Sequence, residues 1–135
     1  MTTITILLPG PPQGKARPRF RRDSGHAYTP ERTRAYEKAL RTEAALAMRG
    51  KKIMTGYVEV TVGAWFPIPE SWSSVKATSA RHGDVRPGKI DCDNILKVLD
   101  ALNGIVFKDD AQIVKATVSK HYSSYPRLSV TVHEA

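Results

Sequence analysis

Lys89-Ile90-Asp91-Cys92-Asp93-Asn94-Ile95-Leu96-Lys97-Val98-Leu99-Asp100 is the stretch around which the rest of the chain is organised. From Asp93 onward its apolar residues take helical spacing. At 3.6 residues per turn Ile95, Val98, Leu99 and Leu102 fall on one face, and Asp93, Lys97 and Asp100 fall on the opposite face. The spacing predicts a helix from Asp93 to about Asn103, closed by Gly104. Downstream, Phe107-Lys108-Asp109-Asp110-Ala111-Gln112 reads as a polar loop. The two segments place five aspartates in a short part of a chain with only 13 acidic residues.

Working outward, the flanks read as strands. Gln112 to His121 and Arg127 to His133 are expected as two strands, joined by Ser123-Ser124-Tyr125-Pro126 as a hairpin. Upstream, Tyr57 to Phe66 alternates with Val58, Val60 and Val62 on one face, and Pro67 and Pro69 end it. Thr3 to Leu8 alternates with Ile4, Ile6 and Leu8 inward, and Pro9-Gly10-Pro11-Pro12 stops it. Residues 17–28 are expected to form a small basic hairpin turning at Asp23-Ser24-Gly25. Thr29-Pro30-Glu31 is a helix start, with Thr29 as cap and Pro30 in the first turn. That helix is expected to reach about Arg49, with Gly50 as its stop and Tyr36, Ala39, Leu40, Ala44, Leu46 and Ala47 as its apolar face. Residues 67–88 are the least regular part, a loop that is either functional or mobile. A short helix around 70–80 and an anchor at Trp72 are expected within it.

The totals bound the class. The chain has 135 residues, 41% of them hydrophobic, which suits one domain with one packed core. The formal net charge of +8 argues for a polyanionic partner. Ten Lys/Arg stand against four Asp/Glu in residues 1–50, so the basic surplus lies in the N-terminal half. The acidic cluster lies in the other half, and a protein that merely coats DNA has no need of it. One cysteine excludes an internal disulfide and fits a reducing compartment. With no membrane-length apolar run and no basic leader, a soluble intracellular protein is expected.

Clustered carboxylates from different elements are what phosphodiester hydrolysis with Mg²⁺ requires. Asp91, extended before the helix, and Asp93, at its start, can converge. Asp110 lies in a loop leading into a strand that can pair alongside. Lys97, one turn beyond Asp93, can reach a phosphate. Each residue also has a plain structural reading. An aspartate at a helix start is commonly a cap, Lys97 and Asp100 can form a surface pair, and Asp109-Asp110 can be a polar turn. Cys92 reads as a small buried apolar residue.

The pattern D-x-D-N-x-x-K-x-x-D-A-L over Asp91–Leu102, followed by D-D-A-Q over Asp109–Gln112, resembles the signature of the RusA family of Holliday-junction resolvases. Leu8-Pro9-Gly10-Pro11-Pro12 and Lys15-Ala16-Arg17-Pro18-Arg19-Phe20 resemble the family's first strand and basic segment. Two departures are visible. Cys92 stands where an aliphatic residue is usual, and Ile90 stands where Pro is common. The resemblance implies a single α+β domain over residues 1–135, a mixed β-sheet packed with two main helices. It implies Asp91, Asp93 and Asp110 as metal ligands and Lys97 as the essential lysine, with Mg²⁺ or Mn²⁺ as cofactor. It further implies a homodimer that resolves four-way DNA junctions by paired hydrolysis in recombination and repair. The implied setting is a bacterial cytoplasm, with a phage or prophage origin.

Lys15, Arg17, Arg19, Arg21 and Arg22 form the densest positive stretch and are expected to contact DNA phosphates. Such contacts position a duplex without reading its bases. The alternatives are a basic DNA-binding protein without catalysis and a nuclease for other branched DNA. His26, His82, His121 and His133 show no metal-ligand spacing.

Overall fold

The computed structural model describes residues 2–15, 19–20, 22, 25, 27–28 and 30–135. The central layer is a four-stranded sheet built from β1 (Thr3–Pro9), β4 (Val58–Pro67), β5 (Ile113–Ser123) and β6 (Arg127–Glu134), in the order β1-β6-β4-β5. β6 runs antiparallel to both β1 and β4, whereas β5 runs parallel to β4. β2 (Arg19–Phe20) and β3 (Ala27–Tyr28) pair separately as a two-stranded ribbon. The fold is therefore α+β with a mixed sheet.

Period-two alternation determines which sheet face is buried. Ile4, Ile6 and Leu8 of β1, Val58, Val60 and Val62 of β4, and Leu128, Val130 and Val132 of β6 all enter one core. Helix α1 (Glu31–Ala47) covers that face beside β1, inserting Tyr36, Leu40 and Ala44. Leu46 is 53% exposed rather than part of the apolar face, and Met48 is buried beyond the helix end. Pro30 occupies the cap position and no side chain caps the helix. Thr29, the expected cap, lies outside the described residues. Gly50 stops the turn at φ +76°, a conformation costly for residues with a Cβ.

Two expectations are corrected. The last two strands do not form a hairpin, because β4 lies between β5 and β6. β4 is a central strand, paired with β5 on one edge and β6 on the other. The segment from Pro67 to Gln112 carries the chain back to β4's far edge, as a parallel pair needs. The helix expected over 93–103 is α only from Cys92 to Lys97 (α3) and tightens to a 3-10 helix over Val98–Leu102. Ile95, Val98, Leu99 and Leu102 are buried as their spacing predicts. The irregular 67–88 stretch contains α2 (Ser74–Arg81), capped by Ser73 Oγ accepting from the Lys76 amide. Among the described residues there are thus three α-helices, one of them the short helix expected around 70–80. Trp72 packs edge-on against Tyr122, 5.1 Å between ring centres.

Candidate functional site

Three elements meet at the unpaired edge of β5. Asp91 just before α3, Asp93 in its first turn and Lys97 at its last residue come from one helix. The 3-10 turn Asp110–Gln112 supplies Asp110. The first residues of β5 supply Lys115. Asp93, Lys97, Asp110 and Lys115 line one open groove of about 490 Å³, with Leu96, Leu99 and Ile113 among its apolar lining. Asp91 is the residue preceding α3. Its backbone is extended (φ −66°, ψ 152°) and its side chain makes no capping hydrogen bond. The carboxylate of Asp91 is therefore not used as a cap and stands exposed. Lys97 Nζ lies 3.8 Å from Asp93 Oδ2, with both side chains largely exposed. A pair of that kind contributes only about 0.3–0.5 kcal/mol, so either partner is readily recruited elsewhere.

The Asp109-Asp110-Ala111-Gln112 turn separates its residues by role. Asp109 Oδ1 accepts from the Ala111 amide at 2.9 Å. Gln112 Oε1 accepts from the Lys108 and Asp109 amides at 2.7 and 3.0 Å, and its Nε2 donates to the Met54 and Gly56 carbonyls at 3.0 and 2.7 Å. Asp109 and Gln112 thus form a capping box that fixes the turn. Asp110 is left pointing into the groove. Hydrogen bonding with Asp109 raises the Asp110 pKa, and burial and the charges of Asp109 and Asp100 push the same way. The Ala111 amide and the Asp110 contact hold Asp109 lower. The box was readable from an acid followed three residues later by Gln.

Asp100 does not orient Lys97. Its Oδ2 binds Lys15 Nζ at 2.6 Å, and Lys15 also reaches Glu37 Oε2 at 3.3 Å. Burial opposes the Lys15 charge, but the hydrogen bond and charge of Asp100, then those of Glu37, outweigh it and raise its pKa. Burial, and next the nearby Asp100, raise the Glu37 pKa despite Lys15. Asp100 Oδ1 is buried without a partner among the described residues. Lys15, expected on DNA, is thus held by two carboxylates. Of the other expected DNA contacts, Arg22 is exposed, Arg19 is described by its backbone alone, and Arg17 and Arg21 lie outside the described residues.

Close packing fixes the start of α3. Ile90 has φ +63°, a left-handed conformation unusual for a β-branched residue. Its carbonyl accepts from Lys120 Nζ at 3.3 Å. The Lys15 amide donates to the Asn94 carbonyl at 3.3 Å. Between them Gly14 lies so close that a Cβ there would fall 2.8 Å from Ile90 Cγ2 and meet the Asn94 amide. Cys92, expected to be buried, is exposed beside the Val118 carbonyl, because the first turn of α3 faces solvent between two exposed aspartates.

The donor set suits a hard cation, since it consists of carboxylate oxygens not used as helix caps. Among the described residues no three acidic, histidine or cysteine side chains stand close enough to chelate an ion as placed. Asp93 and Asp110 line the same groove, and Asp91 lies two residues before Asp93. Among the described residues, no helix is long and apolar enough to cross a membrane.

A family model described as endodeoxyribonuclease RusA matches residues 9–133. A Bacillus subtilis (strain 168) protein named "Uncharacterized protein YqaN" is 36% identical over 140 residues, spanning 99% of this chain and 98% of that relative.

Proposed function

Since the chain belongs to the RusA endodeoxyribonuclease family, we propose that it resolves four-way DNA junctions by metal-dependent hydrolysis, acting as a homodimer that makes paired nicks. The observation that carries this reading is the groove at the β5 edge. There Asp93, Lys97 and Asp110 line one groove, and Asp91 precedes the helix of Asp93 and Lys97 without a capping hydrogen bond. Asp91, Asp93 and Asp110 would hold Mg²⁺, or Mn²⁺ in its place. The ion would supply Lewis-acid stabilisation of charge on the phosphate oxygens.

The chain's own residues do the rest. Lys97, whose pair with Asp93 is weak, would donate to a non-bridging phosphate oxygen. The apolar groove lining of Leu96, Leu99 and Ile113 limits water around the reacting phosphate. The capping box of Asp109 and Gln112 keeps Asp110 aimed inward. Surplus positive charge attracts the DNA and makes binding steeply salt-dependent. The proposed setting is recombination and repair, in a bacterial cytoplasm and from a phage or prophage gene.

The test is a substrate panel with Mg²⁺: a four-way junction, a flap and linear duplex. Symmetric paired nicks in the junction, with little cutting of the duplex, are the expected result. Binding without cutting in either Mg²⁺ or Mn²⁺ would overturn the nuclease reading. Preferential cutting of the flap would move the substrate to other branched DNA.

A further inference from the structure

At the end of the sheet away from Gly50 and the C-terminus, four side chains form a row across three strands, on the sheet face opposite the core. Arg127 of β6 lies over the Trp65 ring of β4, its Cζ 4.1 Å from the ring centre. Trp65 stacks on His121 of β5 at 5.1 Å, with the rings 20° from parallel. Arg86, from the segment between α2 and α3, closes the row with its Nη1 2.7 Å from His121 Nδ1. The register makes Trp65 the direct neighbour of both His121 and Arg127. Gly63 lets the indole lie back over the strand, because a Cβ there would collide with the Trp65 ring.

The row holds two guanidinium groups in fixed orientation without neutralising them. Arg86 Nη1 donates to the Lys120 carbonyl at 2.8 Å, and Arg127 Nη1 donates to the Tyr125 carbonyl at 2.9 Å. His121 Nε2 shares a hydrogen bond with Ser119 Oγ at 2.9 Å. A neutral imidazole satisfies both contacts, accepting from Arg86 at Nδ1 and donating to Ser119 from Nε2. Neither arginine has a carboxylate within ion-pair reach among the described residues, in contrast to Lys15, Arg34 and Lys97. Nε and Nη2 of both arginines make no hydrogen bond among the described residues. Stacked, oriented arginines with free donors and uncompensated charge suit phosphate oxygens.

We propose that the Arg127–Trp65–His121–Arg86 row binds the phosphodiester backbone of a DNA arm, as a contact separate from the groove at the β5 edge. The proposal rests on DNA as partner but not on which residues cleave it. The row also adjoins the groove mechanically. Arg86 belongs to the segment that leads into Asp91, and Lys120, next to His121, holds the Ile90 carbonyl. An arm gripped at Arg86 would thus be held on the segment that positions the start of α3.

The test measures junction affinity against salt concentration without added divalent cation. The parent is compared with the double variant Arg86→Gln/Arg127→Gln, which keeps an amide donor for each carbonyl and removes both charges. The expected result is a log–log salt slope shallower by about 2, at roughly 0.9 per lost phosphate contact, and an affinity loss of roughly tenfold or more. The lysine pair Arg86→Lys/Arg127→Lys is expected to keep most of the slope. If it loses as much as the glutamine pair, the row is only a structural support and the proposal fails. An equal loss in Lys51→Ala/Lys52→Ala, which removes the same charge near the other end of β4, would point to bulk charge and also overturn it. A parent that binds DNA with the same slope as the glutamine pair overturns this inference alone. A parent that binds no DNA overturns it together with the nuclease reading.

Discussion

Lys15 lies between Glu37 and Asp100, which are 22 and 85 residues away in sequence. It neutralises one of two carboxylates on a side of the core where Glu37 is nearly buried. Lys15→Met would leave both acids facing each other. The expected destabilisation is about 1–3 kcal/mol, reduced from the figure for a fully buried pair by the partial exposure of Lys15 and Asp100. Urea denaturation should show it, and adding Glu37→Gln should recover part of the loss. A neutral result for Lys15→Met would place Lys15 outside the fold's support. The same residue scale separates the adjacent aspartates. Asn caps nearly as well as Asp, so Asp109→Asn should keep junction cleavage, whereas Asp110→Asn should lose it. Equal loss in both would contradict the division made by the capping box. Asp91, Asp93 and Asp110 stood out as candidates in sequence because they flank one helix start and one turn and match the RusA pattern. Lys15's partners were not legible, because a basic run gives no sign of which acid the fold brings to it.

Among elements, the start of α3 is held by contacts with the segment before α1. Gly14 touches the Ile90 and Asn94 side chains where no Cβ fits. Gly14→Ala should therefore push residues 13–15 away from α3, weaken the Lys15–Asn94 backbone bond and cost about 1–3 kcal/mol by overpacking. Because Asp93 precedes Asn94, cleavage should fall further than the stability loss explains. Cleavage and thermal midpoint both unchanged in Gly14→Ala would refute this contact as a support of the site. Alternation made β1, β4 and β6 legible in sequence, each with a clear apolar face. The pairing of β5 was not legible. Its first residues are exposed on both faces, as befits an edge strand, so periodicity could not choose between a hairpin with β6 and a crossover to β4. The shift from α to 3-10 helix after Lys97 left no mark either, since Val98, Leu99 and Leu102 face the core in both geometries.

Over the whole molecule, the sheet buries one face and leaves the other polar, with His121 set into that open side. Burial, then the charges of Arg86 and Arg127, hold the His121 pKa below the ordinary 6.5. As pH falls through about 6.5 the unfolded chain takes up this proton before the folded one. The His121 contribution to stability is therefore complete above that pH and is lost progressively toward the lower folded value. Denaturation midpoints compared at about pH 7.5 and about pH 5.5 should fall more for the parent than for His121→Gln. An identical acid loss in both would show that the row places no constraint on the imidazole's charge. The α+β class was legible through the family resemblance that the long acidic signature carries, and a polyanionic partner through the basic surplus. The arginine row was not, because Trp65, Arg86, His121 and Arg127 are scattered in sequence and only the β5-β4-β6 order aligns them.

The central claim is that Asp91, Asp93 and Asp110 act together through a divalent ion. The most direct measurement is single-turnover cleavage of a four-way junction across a Mg²⁺ titration, for the parent and for Asp91→Asn, Asp93→Asn and Asp110→Asn. Loss of one ligand removes several kcal/mol of transition-state charge stabilisation, at about 1.4 kcal/mol per tenfold in rate. Each variant should therefore cleave at least about 100-fold more slowly at any Mg²⁺ concentration, while binding the junction as well as the parent or better. Cleavage by any of the three at the parent's rate would contradict the assignment of that residue, and cleavage by all three would contradict the site.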